Sequence, residues 1–224
     1  MLFIRWLRTL DELLYELLSW LVFFPATLWR TIRHPLSTMA YAEDQLKLEP
    51  ELQYRAIVSP PVMLVLSLML CQAIELTLEG TNPVVESHRG LGALVNDNTS
   101  LLLLRLFLFG IFPLVLATRK VQLSSENLDR DTLKPPFYAQ CLIVAPFALM
   151  LSVGATVVLH QHHPVTIAIG VGILVAAFLF YGIVETHWFR LHLQLSTLRA
   201  FANASLGLIS SIVIALAGAY LFLR

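Results

Sequence analysis

Five stretches of the chain are apolar at nearly every position for about twenty residues or more: 57–78, 99–118, 136–160, 164–185 and 203–223. A helix rising 1.5 Å per residue needs about twenty such residues to cross the hydrocarbon of a bilayer, so each is expected to be one transmembrane helix. Between them lie segments rich in glycine, proline and charge, such as EGTNPVVESHRG and RKVQLSSENLDRDTLKPP, as expected of connections outside lipid. Only QHH separates the third and fourth spans, which predicts a tight antiparallel hairpin.

The first 56 residues follow another pattern. On a helical wheel Trp6, Leu10, Leu13, Leu14, Leu17, Leu18 and Leu21 share one side, while Arg5, Arg8, Asp11, Glu12, Glu16 and Ser19 share the other. That predicts an amphipathic helix lying in the headgroup plane, with Trp20 and Trp29 at the same depth. The apolar run 20–29 is too short to span, contains Pro25, and as a sixth span would carry Arg5 and Arg8 across the membrane. A short helix and a polar linker are expected to lead from it into the first span. The domain division is therefore 1–56, interfacial, and 57–224, a five-helix transmembrane domain.

Composition agrees: of 224 residues 57% are hydrophobic and 13% charged, half the charged fraction of a soluble domain. Acidic Asp11, Glu12 and Glu16 fall where a signal peptide would be apolar, so Met1 is expected to be a retained N-terminus. Formal net charge is zero and offers a nucleic acid nothing, but the basic residues are unevenly placed. Twelve of the fifteen Lys and Arg lie before the first span, between the second and third, and between the fourth and fifth; Arg89 and Arg224 alone lie on the other side. By the positive-inside rule the N-terminus is cytoplasmic and the C-terminus external. The two cysteines, Cys71 and Cys141, sit at depths about 13 Å apart, which argues against a disulfide.

Ionisable groups within a span are costly and face the bundle interior or a wet cavity. In the first span Ser67, Cys71 and Glu75 recur at i, i+4 and i+8 with Gln72 beside them, a polar stripe on one face. Arg105 lies roughly 9 Å below the external start of the second span, at the depth of Glu75 on the first. An ion pair between Glu75 and Arg105 is expected, with Gln72 as a candidate third member. Such a pair either fixes the register of two helices or lines a transport route, and the sequence leaves both open.

The remaining candidates are packing features. Gly207, Ser211, Ala215 and Ala219 form a small-xxx-small ridge in the fifth span, and Ala168, Gly172 and Ala176 another in the fourth; such ridges let helices approach, within a chain or between chains. Pro113 and Pro146 are expected to kink their spans. His160 to His163, HQHH, is the one metal-like cluster, and without a carboxylate or cysteine nearby it reads as a hairpin turn. His187, Trp188 and His192 read as interface anchors. Asn203 opens a glycosylation sequon at the cytoplasmic start of a span. No phosphate loop, nucleophile elbow or metalloprotease motif is present, so the expectation is no catalytic residue, no metal and no cofactor.

The layout of a long cytoplasmic N-terminal part, five spans, short loops and an external C-terminus resembles the Yip family of small membrane proteins. The stretch PPFYAQCLIVAPFALML at 135–151 is similar to the aromatic–apolar–proline entry of that family's third span, with Tyr138 and Pro146 at the matching positions. The first span opens with SPP and lacks the acidic–Tyr–Gly–Pro motif of eukaryotic members. The resemblance implies a non-enzymatic organiser, adaptor or assembly subunit of a bacterial inner membrane, working through lipid and helix contacts as a homo-oligomer or with a membrane-protein partner. The alternative is a transporter or oligomeric channel subunit, its path along Ser67, Cys71, Gln72 and Glu75 opposite Arg105.

Overall fold

In the computed structural model, residues 2–79, 98–160 and 163–223 are described. They form seven α-helices and, among the described residues, no strand: α1 (Leu2–Arg33), α2 (Pro35–Gln45), α3 (Pro60–Glu79), α4 (Asn98–Leu123), α5 (Arg130–His160), α6 (Pro164–Leu193) and α7 (Thr197–Leu223). One 3-10 turn, Pro50–Leu52, lies in the linker between α2 and α3. The side chains of Trp6, Leu10, Leu13 and His160, the loop with Arg89, and Gln161 and His162 lie outside the described residues.

Helices α3 to α7 are long and apolar enough to cross a membrane, as a multi-pass membrane protein requires. All five predicted spans are present as helices, but four of them run further than hydropathy marks. α4 continues to Leu123, α5 begins at Arg130, α6 continues to Leu193 and α7 begins at Thr197. Every extension lies at an end rich in Lys and Arg, because charge ends a hydrophobic window without ending the backbone hydrogen-bond ladder. α5 carries Pro135 and Pro136 inside its first two turns rather than starting at them. Asp129 caps that helix: its Oδ1 accepts from the backbone N–H of Asp131 at 2.9 Å and of Thr132 at 2.8 Å. Those bonds, led by the backbone and hydroxyl of Thr132, hold its carboxyl below the ordinary aspartate range.

α5 is the axis of the molecule. Residues 139–148 are buried without interruption, because α1, α2, α3, α4 and α6 all touch this helix. Such encirclement needs a helix apolar on every side, and Ala139, Cys141, Ala145 and Ala148 let neighbours come close. Against it Phe147 stacks on Tyr181 at 4.6 Å between ring centroids, and Phe112 leans on both. Cys71 and Cys141 are both free and buried. The outer helices α6 and α7 turn Val165, Ile169, Val175, Leu179, Ile209 and Val213 outward, an apolar surface that lipid would cover.

The N-terminal region holds the expected short helix, α2, and the linker after it, but its first helix runs further than the amphipathic stretch. α1 runs as one helix through Trp20–Trp29 and Pro25, which is exposed, so the lost backbone bond faces outward. It separates apolar from polar residues more sharply than any other helix here, and Leu14, Leu17, Leu18 and Leu21 are exposed while Trp20 packs with Phe24 and Leu28 against the bundle. Thr27 fastens α1 to the entrance of α3, its Oγ1 accepting from the N–H of Val58 at 3.1 Å. α2 lies over the basic ends of α5 and α6, its Met39 in the same cluster as Trp188. Trp188 is therefore not an interface anchor: it is 1% exposed, beneath α2. His192 instead ties α6 to α2, its Nε2 3.2 Å from Glu43 Oε2, and His187 is exposed.

Candidate functional site

Glu75 of α3 and Arg105 of α4 form an ion pair, Nη2 of the arginine donating to Oε2 of the carboxylate. The other carboxylate oxygen, Oε1, accepts from the hydroxyl of Ser152 on α5 at 2.5 Å. One carboxylate thus binds three helices together. The partners keep only 13% and 16% side-chain exposure, so the pair sits where water screens it weakly and where a lone charge would be expensive. Ser152 is a member that sequence reasoning missed, since a single serine in an apolar helix carries no signal of its partner.

The rest of the stripe follows the same seam. Cys71 Sγ donates to the carbonyl of Ala148 at 3.6 Å, one turn below the Glu75–Ser152 contact. Both contacts join residues 77 apart in sequence, so α3 and α5 run parallel and in register over that turn. Ser67 is fully buried and its hydroxyl has no hydrogen-bond partner among the described residues; Gln72 is nearly buried.

A second buried carboxyl lies on the other flank of α5. Glu185 of α6 is 1% exposed, and its Oε2 accepts from Gln140 Nε2 at 2.8 Å. Its Oε1, the Oε1 of Gln140, the hydroxyl of Tyr181 and the indole N–H of Trp188 are buried without a hydrogen-bond partner among the described residues. Sequence reasoning left Glu185 at the end of a span, although depth arithmetic could have found the contact. Gln140 precedes His160 by 20 residues and Glu185 follows Pro164 by 21, so a tight hairpin sets them level.

The small-residue ridges divide. On α7, Gly207 and Ser211 are buried, and a Cβ on Gly207 would come within 2.5 Å of Leu116 of α4. Ala215 packs on the core, and with Ala219 it edges an apolar groove of about 270 Å³ beside Phe112 and Phe147. This ridge serves α4 within the chain. On α6 the ridge makes no contact within the chain: Ala168, Gly172 and Ala176 are exposed, and nothing lies within 4 Å of a Cβ on Gly172. The close approach there is made by Gly154 and Gly170, a Cβ on either meeting the other's carbonyl at 3.1–3.2 Å. Four-residue spacing alone does not say which side of an all-apolar helix faces a neighbour.

Of the remaining candidates, His163 caps α6, its Nδ1 accepting from Val165 N–H at 3.3 Å. Asn203 accepts from Arg119 at 2.8 Å and so ties α7 to α4. Among the described residues no three His, Cys, Asp or Glu side chains converge on a point that could hold a metal. Fold and site together define an all-helical protein with five helices of membrane-spanning length and interhelical polar ties. Against known proteins, no family model, no curated protein and no solved structure matches the chain.

Proposed function

We propose that this chain is a non-enzymatic membrane organiser or adaptor of the Yip-like kind. It sits in a bacterial inner membrane, its N-terminal region on the cytoplasmic side and its C-terminus outside, and works through lipid and helix contacts with further copies or a membrane-protein partner. The observation that carries this reading is that the charged end of the polar stripe is bonded to neighbouring helices. Glu75 gives one oxygen to Arg105 and the other to Ser152, and Cys71 is bonded to Ala148. A pathway needs polar groups that face a permeating species; these face neighbouring helices.

The test is ion and proton flux in proteoliposomes made with the full chain. The reading expects no flux above empty vesicles. Flux that disappears in Glu75→Gln and persists in Ile209→Ala, on the exposed face of α7, would establish the transport alternative instead.

A further inference from the structure

Where α1 meets the entrance of α3, the two enclose a partly open cavity of about 510 Å³. Its volume lies in the range of small-molecule sites. The lining is graded. Trp20, Phe23, Ile57 and Val62 supply apolar surface, whereas Gln53, Tyr54 and Ser59 supply polar groups. Two of the lining residues are charged, Glu16 on α1 and Arg55 on the linker, so a carboxylate and a guanidinium border a common space. Both are exposed, and Arg55 is steadied by its Nε donating to the Glu51 carbonyl at 3.3 Å.

The wall that carries Arg55 is held in a strained form. Tyr54 has φ 55°, the left-handed region that a bulky aromatic residue rarely enters. Three contacts impose it: its N–H donates to Gln45 Oε1 at 3.0 Å, its hydroxyl donates to the Ala42 carbonyl at 3.0 Å, and its ring stacks on Tyr138 at 6.1 Å. Lys134 lies over the far ring, its Nζ 5.7 Å from the centroid of Tyr138. Strain of this sort, worth about 1–3 kcal/mol, persists where surrounding structure over-determines it, as at ligand clamps.

We propose that this cavity binds the headgroup and glycerol region of an amine-bearing zwitterionic phospholipid, a phosphatidylethanolamine. Arg55 takes the phosphate, Glu16 takes the ammonium, and the acyl chains leave over Trp20, Phe23 and Val62. A guanidinium matches phosphate by paired N–H donors, and a primary ammonium has protons for a carboxylate that a choline lacks. A headgroup with net negative charge and no amine would leave Glu16 opposed. The exposed Leu14, Leu17, Leu18 and Leu21 of α1 lie on the helix that forms one wall, where acyl chains are to be met if α1 lies in the interface. The proposal rests on that reading of α1.

The experiment uses the full chain in vesicles of equal phosphatidylethanolamine, phosphatidylcholine and phosphatidylglycerol, extracted in mild detergent, with retained lipids counted by native mass spectrometry. Phosphatidylethanolamine is expected to be enriched about tenfold over both others, the worth of one charge-assisted hydrogen bond. Arg55→Glu and Glu16→Lys should each remove the enrichment, and Lys47→Glu, outside the cavity, should keep it. Arg55→Gln and Glu16→Gln serve if a reversed charge disturbs folding. No preference, a preference for choline held by the aromatic rings, a preference for the anionic lipid, or enrichment that survives both cavity substitutions overturns the proposal. Flux in the proteoliposomes described above would overturn the organiser reading, and absence of enrichment in the unsubstituted chain, without flux, would overturn the lipid site alone.

Discussion

A carboxylate placed among apolar helices has to find a cation or a set of donors, since either is less costly than leaving the charge alone in a medium of low dielectric. Glu75 finds both, in Arg105 and Ser152. Removing one partner strands the other, so Arg105→Ala is expected to cost about 3 kcal/mol of stability, the scale for breaking a buried pair. Ser152→Ala, which removes a single bond to a charged group, should cost about half as much. Thermal unfolding in detergent, with Glu75→Gln and the double variant Glu75→Gln/Arg105→Gln completing a cycle, measures both the losses and the coupling. Additive losses would contradict the pair. At this scale the sequence made the charged pair legible, because two ionisable groups at equal depth on adjacent antiparallel helices have few other solutions. It did not show Ser152, which carries no signal of its partner, and the Glu185–Gln140 bond across the α5–α6 hairpin was legible only through the equal depth of the two residues.

Helices are set by two signals, and they were legible to different degrees. Hydropathy located all five long apolar helices, but it ended four of them at the first charges, whereas backbone bonding carries α4, α5, α6 and α7 on past Arg119, Lys134, Arg190 and Arg199. Packing faces were harder to read. An apolar helix between lipid and protein shows no polar side, so periodicity does not distinguish Ala168, Gly172 and Ala176, which are exposed, from Gly170, which is buried against α5. A Cβ on Gly170 would meet Val158 at 2.8 Å and the Gly154 carbonyl at 3.1 Å, and a backbone carbonyl does not move aside without moving its helix. Gly170→Ala is therefore expected to lose about 1–3 kcal/mol by overpacking, while Gly172→Ala, two residues on and open, should be neutral or slightly stabilising. Melting temperatures of the two variants decide it, and equal losses would contradict this assignment of the buried and open faces of α6.

For the whole molecule, the helical architecture reaches across α3 to α7, and the N-terminal region folds back over one end of it: α1 pinned through Thr27, α2 clamped through His192 and Glu43. That end collects Arg119, Lys120, Arg130, Lys134, Arg190 and Arg199, the residues whose uneven placement along the chain carries the expected orientation. The short linkers 34, 124–129 and 194–196 gather there, while the hairpin at His163 lies at the far end of α5 and α6. The expected orientation rests on charge and the bundle on geometry, and a membrane joins them only if the two agree. Thiol labelling in sealed vesicles tests this most directly, in a chain with Cys71 and Cys141 replaced by Ala and single cysteines at exposed Ser37, Ser125, Ser196 or His163. The account predicts that an impermeant maleimide reaches Cys at 37, 125 and 196 from the cytoplasmic side only and at 163 from the external side only. Labelling of 163 from the same side as the other three would contradict it.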